Sequence, residues 1–233
     1  MKTLQLSFIG VGAALLLSGW VWANDAAHEV ADAVKWKPAT LRVALADMPA
    51  GDIARGKALN SQLMCASCHG ENGVAPTSNW PNVAGQKTDY TYKMLLDYQS
   101  GLRSEDERSK LMTAAVEPMS QQDMADVAAY YASLPAHEAT VKPPAHADAE
   151  RLVRKGDPTR LLTPCASCHG VKGQGGKEAA PALAGQSEKA FIRTMMLYKN
   201  GERDNDVNKS MAQFAGKLTD EEIRQLAAYY HTR

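Results

Sequence analysis

The chain has 233 residues, room for one or two domains, and its 45 % hydrophobic and 22 % charged residues are those of an ordinary folded protein. Lys plus Arg and Asp plus Glu number 26 each, so the formal net charge is zero. The ordinary composition argues against a disordered chain, and the charge balance gives no basic excess of the kind a nucleic-acid partner requires.

Residues 1–23 read as an export signal. Lys2 is a thin positive start, Leu4 to Leu17 an apolar core, and Val21-Trp22-Ala23 a small-residue cleavage site, so cleavage is expected after Ala23 with delivery to the periplasm. The competing reading is an uncut anchor. Leu4 to Trp22 is just long enough to span a bilayer, but Gln5, Ser7 and Ser18 make it a poor span. Peripheral membrane association stays open on this ground. Residues 24–49 are Ala-rich with some helical character and read as a surface arm of unknown role.

From residue 50 onward the chain repeats itself. Cys65-Ala-Ser-Cys-His-Gly70 recurs as Cys165-Ala-Ser-Cys-His-Gly170, an offset of 100 that also relates Gly73/Gly173, Pro81/Pro181, Ala84-Gly85-Gln86/Ala184-Gly185-Gln186, Tyr98/Tyr198, Gly101/Gly201 and Arg103/Arg203. After the loss of one residue the repeat continues through Lys110/Lys209, Met112/Met211 and Ala128-Ala129-Tyr130-Tyr131/Ala227-Ala228-Tyr229-Tyr230. Two homologous domains follow, 50–134 and 150–233, joined by a linker at 135–149 that contains Pro135, Pro143 and Pro144.

The predicted elements are helical. Asp52 caps a helix running toward Cys65, and Asp157 followed by Pro158 predicts the start of its counterpart. Thr88 to Ser100 has apolar and aromatic residues near helical spacing and ends at Gly101; its twin runs from Ser187 to Asn200. The last helix of each repeat begins at Ser120 or Thr219, the latter with Glu222 three residues on in a capping-box pattern. Nothing alternates long enough to make a sheet.

All four cysteines lie in C-x-x-C-H, the attachment motif of c-type haem. Two thiols at this spacing can add to the two vinyl groups on one porphyrin edge, and the adjacent histidine then reaches the iron. Cys65, Cys68, Cys165 and Cys168 are therefore expected to hold two haem c groups covalently, with His69 and His169 as proximal ligands. A zinc site would need both pairs on one metal, yet each sits in its own domain. A thioredoxin-like motif needs a βαβ setting that is absent.

A methionine sixth ligand suits an electron carrier. Met112 and Met211 recur in register. Met119 is the rival to Met112, but its counterpart is Leu218, and a position that accepts Leu is a packing position. Met94, Met124, Met195 and Met196 also read as packing. The carbonyls of Pro81 and Pro181 are candidates to accept from the free ring N–H of the proximal histidines. His28, His137, His146 and His231 have no repeat partner and read as solvated or linker residues.

These features together resemble the bacterial diheme cytochrome c4 family over about residues 50–233: Gly51-Asp52 and Gly56-Lys57-Ala58 before Cys65, both CASCHG motifs, both Pro-x-[VL]-Ala-Gly-Gln segments, each Met followed by the Ala-Ala-Tyr-Tyr helix, and Glu150-Arg-Leu-Val-Arg-Lys-Gly156. The resemblance implies an all-α tandem pair of cytochrome c domains related by a pseudo-twofold axis, with haem propionates near the interface. It implies axial pairs His69 with Met112 and His169 with Met211. It further implies a periplasmic shuttle from a cytochrome bc complex toward a terminal oxidase, not an enzyme. The alternatives are the electron-accepting subunit of a periplasmic dehydrogenase such as a flavocytochrome, and a diheme peroxidase or thiosulfate-oxidising cytochrome, which would need an open iron. The arm at 24–49 is a departure from the family.

Overall fold

The structure is a computed structural model that describes residues 35–138 and 146–233. The export signal, residues 24–34 of the arm and the middle of the linker lie outside the described residues, and so does His28. The helices are α1 (Pro38–Ala46), α2 (Ile53–Gln62), α3 (Ala66–His69), α4 (Thr88–Gln99), α5 (Glu107–Val116), α6 (Gln121–Ser133), α7 (Ala147–Lys155), α8 (Ala166–His169), α9 (Glu188–Lys199), α10 (Ser210–Ala215) and α11 (Asp220–His231). Single 3-10 turns lie at Pro158–Arg160 and Val207–Lys209. No strand occurs among the described residues, and no helix there is long and apolar enough to cross a membrane.

Two separate cores form. One gathers Tyr92, Leu95, Val116, Met124, Val127 and Ala128 from α4, α5 and α6. The other gathers Leu152, Phe191, Met195, Ala215, Ile223 and Leu226 from α7, α9, α10 and α11. The caps explain where the helices start. Asp52 accepts from Arg55 N, and both Ser120 and Thr219 form capping boxes, with Asp123 and Glu222 respectively. In the first domain α2 crosses α6 at Gly56, where a Cβ would stand 2.1 Å from Asp126 O. Only glycine permits that approach.

The second domain is entered differently from the sequence expectation. Asp157 does cap, accepting from Thr159 N, but only a 3-10 turn follows. Leu161 is left-handed at φ 52°, and Asp157 and Leu162 close the loop with backbone hydrogen bonds of 2.8 and 2.9 Å. The packing helix is instead α7, which precedes this turn and ends at Gly156. Residues 147–149, expected in the linker, are its first turn, and Ala149 is fully buried in the second core.

An arginine near the start of each domain reaches its last helix, from α2 in the first domain and from the 3-10 turn in the second. Arg55 pairs with Asp123 and Asp126. Arg160 pairs with Glu222 at 2.7 Å and with Asp157 at 2.8 Å. Asp123 and Glu222 are repeat equivalents, but the two arginines come from non-equivalent positions.

The domains meet through a reciprocal polar contact. Gln86 donates to Ala182 O (3.1 Å) and accepts from Ala182 N (2.8 Å). Gln186 donates to Asn82 O (3.0 Å) and accepts from Asn82 N (2.8 Å). Each glutamine of the repeated Ala-Gly-Gln segment thus grips the residue after the repeated proline in the other domain. This is the self-complementary pattern of a twofold interface. His137 and His231, expected to be solvated or linker residues, also meet there: their ring centroids are 6.4 Å apart, and His231 Nδ1 is 3.0 Å from Gln186 O.

Candidate haem-binding sites

Each C-x-x-C-H motif folds as one helical turn, α3 or α8, with the first cysteine at its N-terminus. Cys65 and Cys68 are three residues apart and so share one face, and His69, four from Cys65, lies beside them. The same holds for Cys165, Cys168 and His169. The turn stops at Gly70 and Gly170, which take φ 79° and 80°. A Cβ on Gly70 would stand 2.0 Å from Val74 O, so Gly70 serves both the left-handed backbone and the close return of the chain, while one on Gly170 would meet the Gln174 side chain.

All four thiols are unpaired. Burial pushes the Cys65 thiol up and the Cys165 thiol up to about 11. His69 and His169 are each 7 % exposed. The Nδ1 of His69 lies 3.0 Å from Pro81 O, and that of His169 lies 2.9 Å from Pro181 O. A carbonyl can only accept, so Nδ1 carries the proton in both rings. Burial lowers both imidazole pKa values, which favours neutral rings whose Nε2 lone pair is not taken up by a proton and suits a metal. The expected role of the two proline carbonyls is met by this geometry.

Met112 on α5 and Met211 on α10 are both partly buried against the core of their own domain. The Met211 backbone N–H donates to Asp206 Oδ2 at 2.5 Å. Met119 and Leu218 are each 5 % exposed inside the two cores, as packing positions are.

A second feature was not singled out from the sequence. Arg103 and Arg203, repeat equivalents, are drawn together at the domain boundary, where Met94 Sδ lies 3.8 Å from Arg103 Nη1 and 3.3 Å from Arg203 Nη2. Each guanidinium covers the tyrosine five residues before it, at 4.3 Å over Tyr98 and 4.5 Å over Tyr198. Their partners differ. Arg103 is paired with Glu105 (2.5 and 3.0 Å), whereas Arg203 has the neutral Asn205 in the same place (2.9 Å). Arg203 is 3 % exposed, and among the described residues no carboxylate reaches ion-pair distance of it. Burial would raise the Tyr90 phenol, yet the nearby Arg203, Arg103 and Lys93 bring it below the ordinary tyrosine value. A buried cation of this kind fits an anionic group as its partner. A haem, with two carboxylate side chains, is such a group, so the residues present suit haem on both counts: thiols and imidazole on one side, buried guanidinium on the other.

Comparison with known proteins agrees. Residues 53–135 match the family model described as cytochrome c, and 161–229 match that described as cytochrome c oxidase, cbb3-type, subunit III. The chain is 34 % identical over 182 residues to cytochrome c4 of Pseudomonas aeruginosa, covering 77 % of this chain and 88 % of that protein. It is 32 % identical over 181 residues to cytochrome c4 of Thiocapsa roseopersicina, covering 77 % and 91 %. It is 30 % identical over 180 residues to a thiosulfate dehydrogenase electron acceptor of Stutzerimonas stutzeri, covering 76 % and 82 %. Among solved structures, reduced cytochrome c4 from Pseudomonas stutzeri superposes with a TM-score of 0.70 at 30 % identity, covering 78 % of this chain and 98 % of that one. A thiosulfate dehydrogenase from Marichromatium purpuratum superposes with a TM-score of 0.67 at 29 % identity, covering 78 % of this chain but 40 % of that one. With two cytochrome c domains, two covalently bound haem c groups and an electron-transfer role, the chain belongs to the cytochrome c4 family.

Proposed function

We propose that the chain is a periplasmic carrier that takes electrons from a cytochrome bc complex and passes them toward a terminal oxidase, with one haem held by Cys65 and Cys68 between His69 and Met112, and the other by Cys165 and Cys168 between His169 and Met211. The observation that supports the proximal half of this reading is the pair of Nδ1–H to proline carbonyl bonds, 3.0 and 2.9 Å, which suits each ring to ligate as a neutral imidazole through Nε2. When bound, each haem supplies a one-electron iron couple. The chain's own residues do the rest. The thioethers and the locked imidazoles hold the geometry constant in both oxidation states. The recurrence of Met112 and Met211 supports a sixth ligand in each domain, which leaves no iron position open for a substrate and makes a peroxidase reading the weaker one. Arg103 and Arg203 partner haem carboxylates, and Arg203, which Asn205 does not neutralise, favours the reduced state more than the Glu105-paired Arg103 does.

A second reading has its own support. The relative named as an electron acceptor of thiosulfate dehydrogenase, and the thiosulfate dehydrogenase structure of which this chain matches a part, favour a periplasmic dehydrogenase, reduced by its own substrate, as the electron source.

The ligand assignment predicts two haems per chain by pyridine haemochrome, both retained in acid acetone, and a near-infrared Met–haem band with an intensity for two sites. Met112→Ala halves that band and Met119→Ala leaves it whole; the reverse result overturns the assignment. The two donors separate by stopped-flow reduction with a bc complex and with a thiosulfate dehydrogenase, the physiological one being faster.

A further inference from the structure

The described part of the arm does not lie loose on the surface. Its far end is anchored on the first domain: Leu45 and Met48 pack against the first core, and Leu41 is 2 % exposed. Its near end crosses to the second domain. Lys35 pairs with Asp204, Arg42 stands 3.7 Å from Glu178, and α1 touches the turn at Val207–Lys209. Between these ends, Trp36 Nε1 donates to Asp97 Oδ1 at 2.5 Å, and Lys93 Nζ lies 5.6 Å from the indole centroid.

Asp97 is fully buried, and three chain segments supply its partners. Oδ1 takes Trp36 from the arm. Oδ2 takes Lys93 from the same helix and Asn205 Nδ2 (2.5 Å) from the second domain. Lys93 also donates to Asn205 O at 2.8 Å. Asn205 in turn holds Arg203 Nε at 2.9 Å. An unbroken hydrogen-bonded run thus leads from Trp36 through Asp97 and Asn205 to the buried Arg203 guanidinium, which has no carboxylate partner among the described residues.

The run exists on one side of the twofold only. Asp97 corresponds to Leu197, Lys93 to Arg193 and Asn205 to Glu105, so the second repeat offers no acceptor for an equivalent arm. The arm is likewise single: it precedes the region matched by the first cytochrome c model, which begins at residue 53, and has no counterpart before the second repeat.

We infer that the arm is an interdomain clamp and that Trp36 is a positioning residue, which through Asp97 and Asn205 holds Arg203 and thereby sets the two redox centres apart in potential. The clamp stands on the contacts alone; its effect on potential rests on the proposed haem assignment.

The test uses the full holoprotein and two variants. Trp36→Phe keeps the ring and removes the donor, and Asp97→Leu installs the second repeat's residue. Hydrogen exchange is followed at 203–209 and at the corresponding first-domain loop, and both midpoint potentials are read by spectroelectrochemistry, with haem stoichiometry as the loading control. The expected result for Trp36→Phe is a rise in exchange of several-fold at 203–209 with the first-domain loop unchanged, and a changed separation of the two potentials. The double variant should show no larger change than Asp97→Leu alone. Unchanged exchange at 203–209 overturns the clamp. Altered exchange with both potentials unmoved, or moved equally, overturns the coupling to Arg203. A wild-type chain with fewer than two covalent haems overturns the haem assignment instead, and leaves the exchange result to decide the clamp.

Discussion

A guanidinium cannot shed its charge at ordinary pH, so a buried one must find an anion or hydrogen-bond acceptors. Arg103 and Arg203 answer that need differently. Glu105, whose side chain is 2 % exposed, neutralises Arg103, while Asn205 leaves Arg203 with its full charge. Two domains of one ancestry therefore present different local potentials to otherwise matching sites. Positive charge favours the reduced iron. Glu105→Gln should then raise one midpoint potential by about 60 mV, a factor of about ten in its redox equilibrium. Asn205→Asp should move a potential down by a similar amount. Spectroelectrochemical titration of both variants checks the signs; a shift of the same sign in the two contradicts the charge argument. Removing one partner of a buried pair also costs about 3–5 kcal/mol of stability, so Glu105→Gln should melt earlier as well. The haem cofactor was legible in the sequence because C-x-x-C-H is contiguous, and the proline acceptors because they recur in register. The arginine pair recurs too, at 103 and 203, but its meaning depends on two distant loops meeting at Met94, which no local pattern reveals.

Helix starts were readable where a side chain answers its own backbone. Asp52, Ser120 and Thr219 cap the helices expected of them, because a cap is a three-residue interaction. Asp157-Pro158 shows the limit of that logic. The cap forms, but Leu161 turns left-handed and Arg160 swings to α11, so the chain closes a loop and the long helix lies upstream at α7. The outcome was set by tertiary packing of Leu152 and Val153, both fully buried. The same ion-paired loop gives an acid dependence. The Asp157 carboxyl is held down to about 2 by the Thr159 hydroxyl and by Arg160, and Glu222 is held below its usual value chiefly by Arg160. Carboxylates with depressed folded pKa values contribute stability that is present above their unfolded values, near 4, and lost as pH falls through the folded ones. Arg160→Gln should therefore lower the melting temperature at pH 7. The gap from wild type should narrow between about pH 4 and pH 2. Calorimetry across that range checks it; a gap independent of pH would mean that Arg160 acts through packing alone.

At the scale of the molecule, two like domains are joined by a near-symmetric seam of Gln86 and Gln186, and the asymmetry is carried by charge and by the arm. The seam was not legible in advance, since Ala-Gly-Gln reads equally well as a turn within one domain. The charge was. Residues 24–142 hold 11 Lys plus Arg and 15 Asp plus Glu, a net of −4, and residues 143–233 hold 14 and 11, a net of +3. Two carboxylates on each haem add the same charge to both halves, so the difference of seven survives loading. A domain of about 85 residues has a radius of gyration of about 12 Å, which puts the two centres roughly two such radii apart. At physiological salt the screening length is about 8 Å, so a partner docked on one domain feels mostly that domain. At about 0.01 M it lengthens to about 30 Å, and a partner then feels both, with the opposed charges cancelling in part. Charge of this kind steers encounter more than it binds. A basic partner should accordingly favour the first domain and an acidic one the second. Stopped-flow oxidation by a small cationic and a small anionic complex across a salt series tests this. The cationic oxidant should react through the first-domain haem and slow as salt rises, and the anionic oxidant should do the same through the second. If both oxidants show one common salt slope at the two haems, the charge difference is surface scatter and docking is decided by shape.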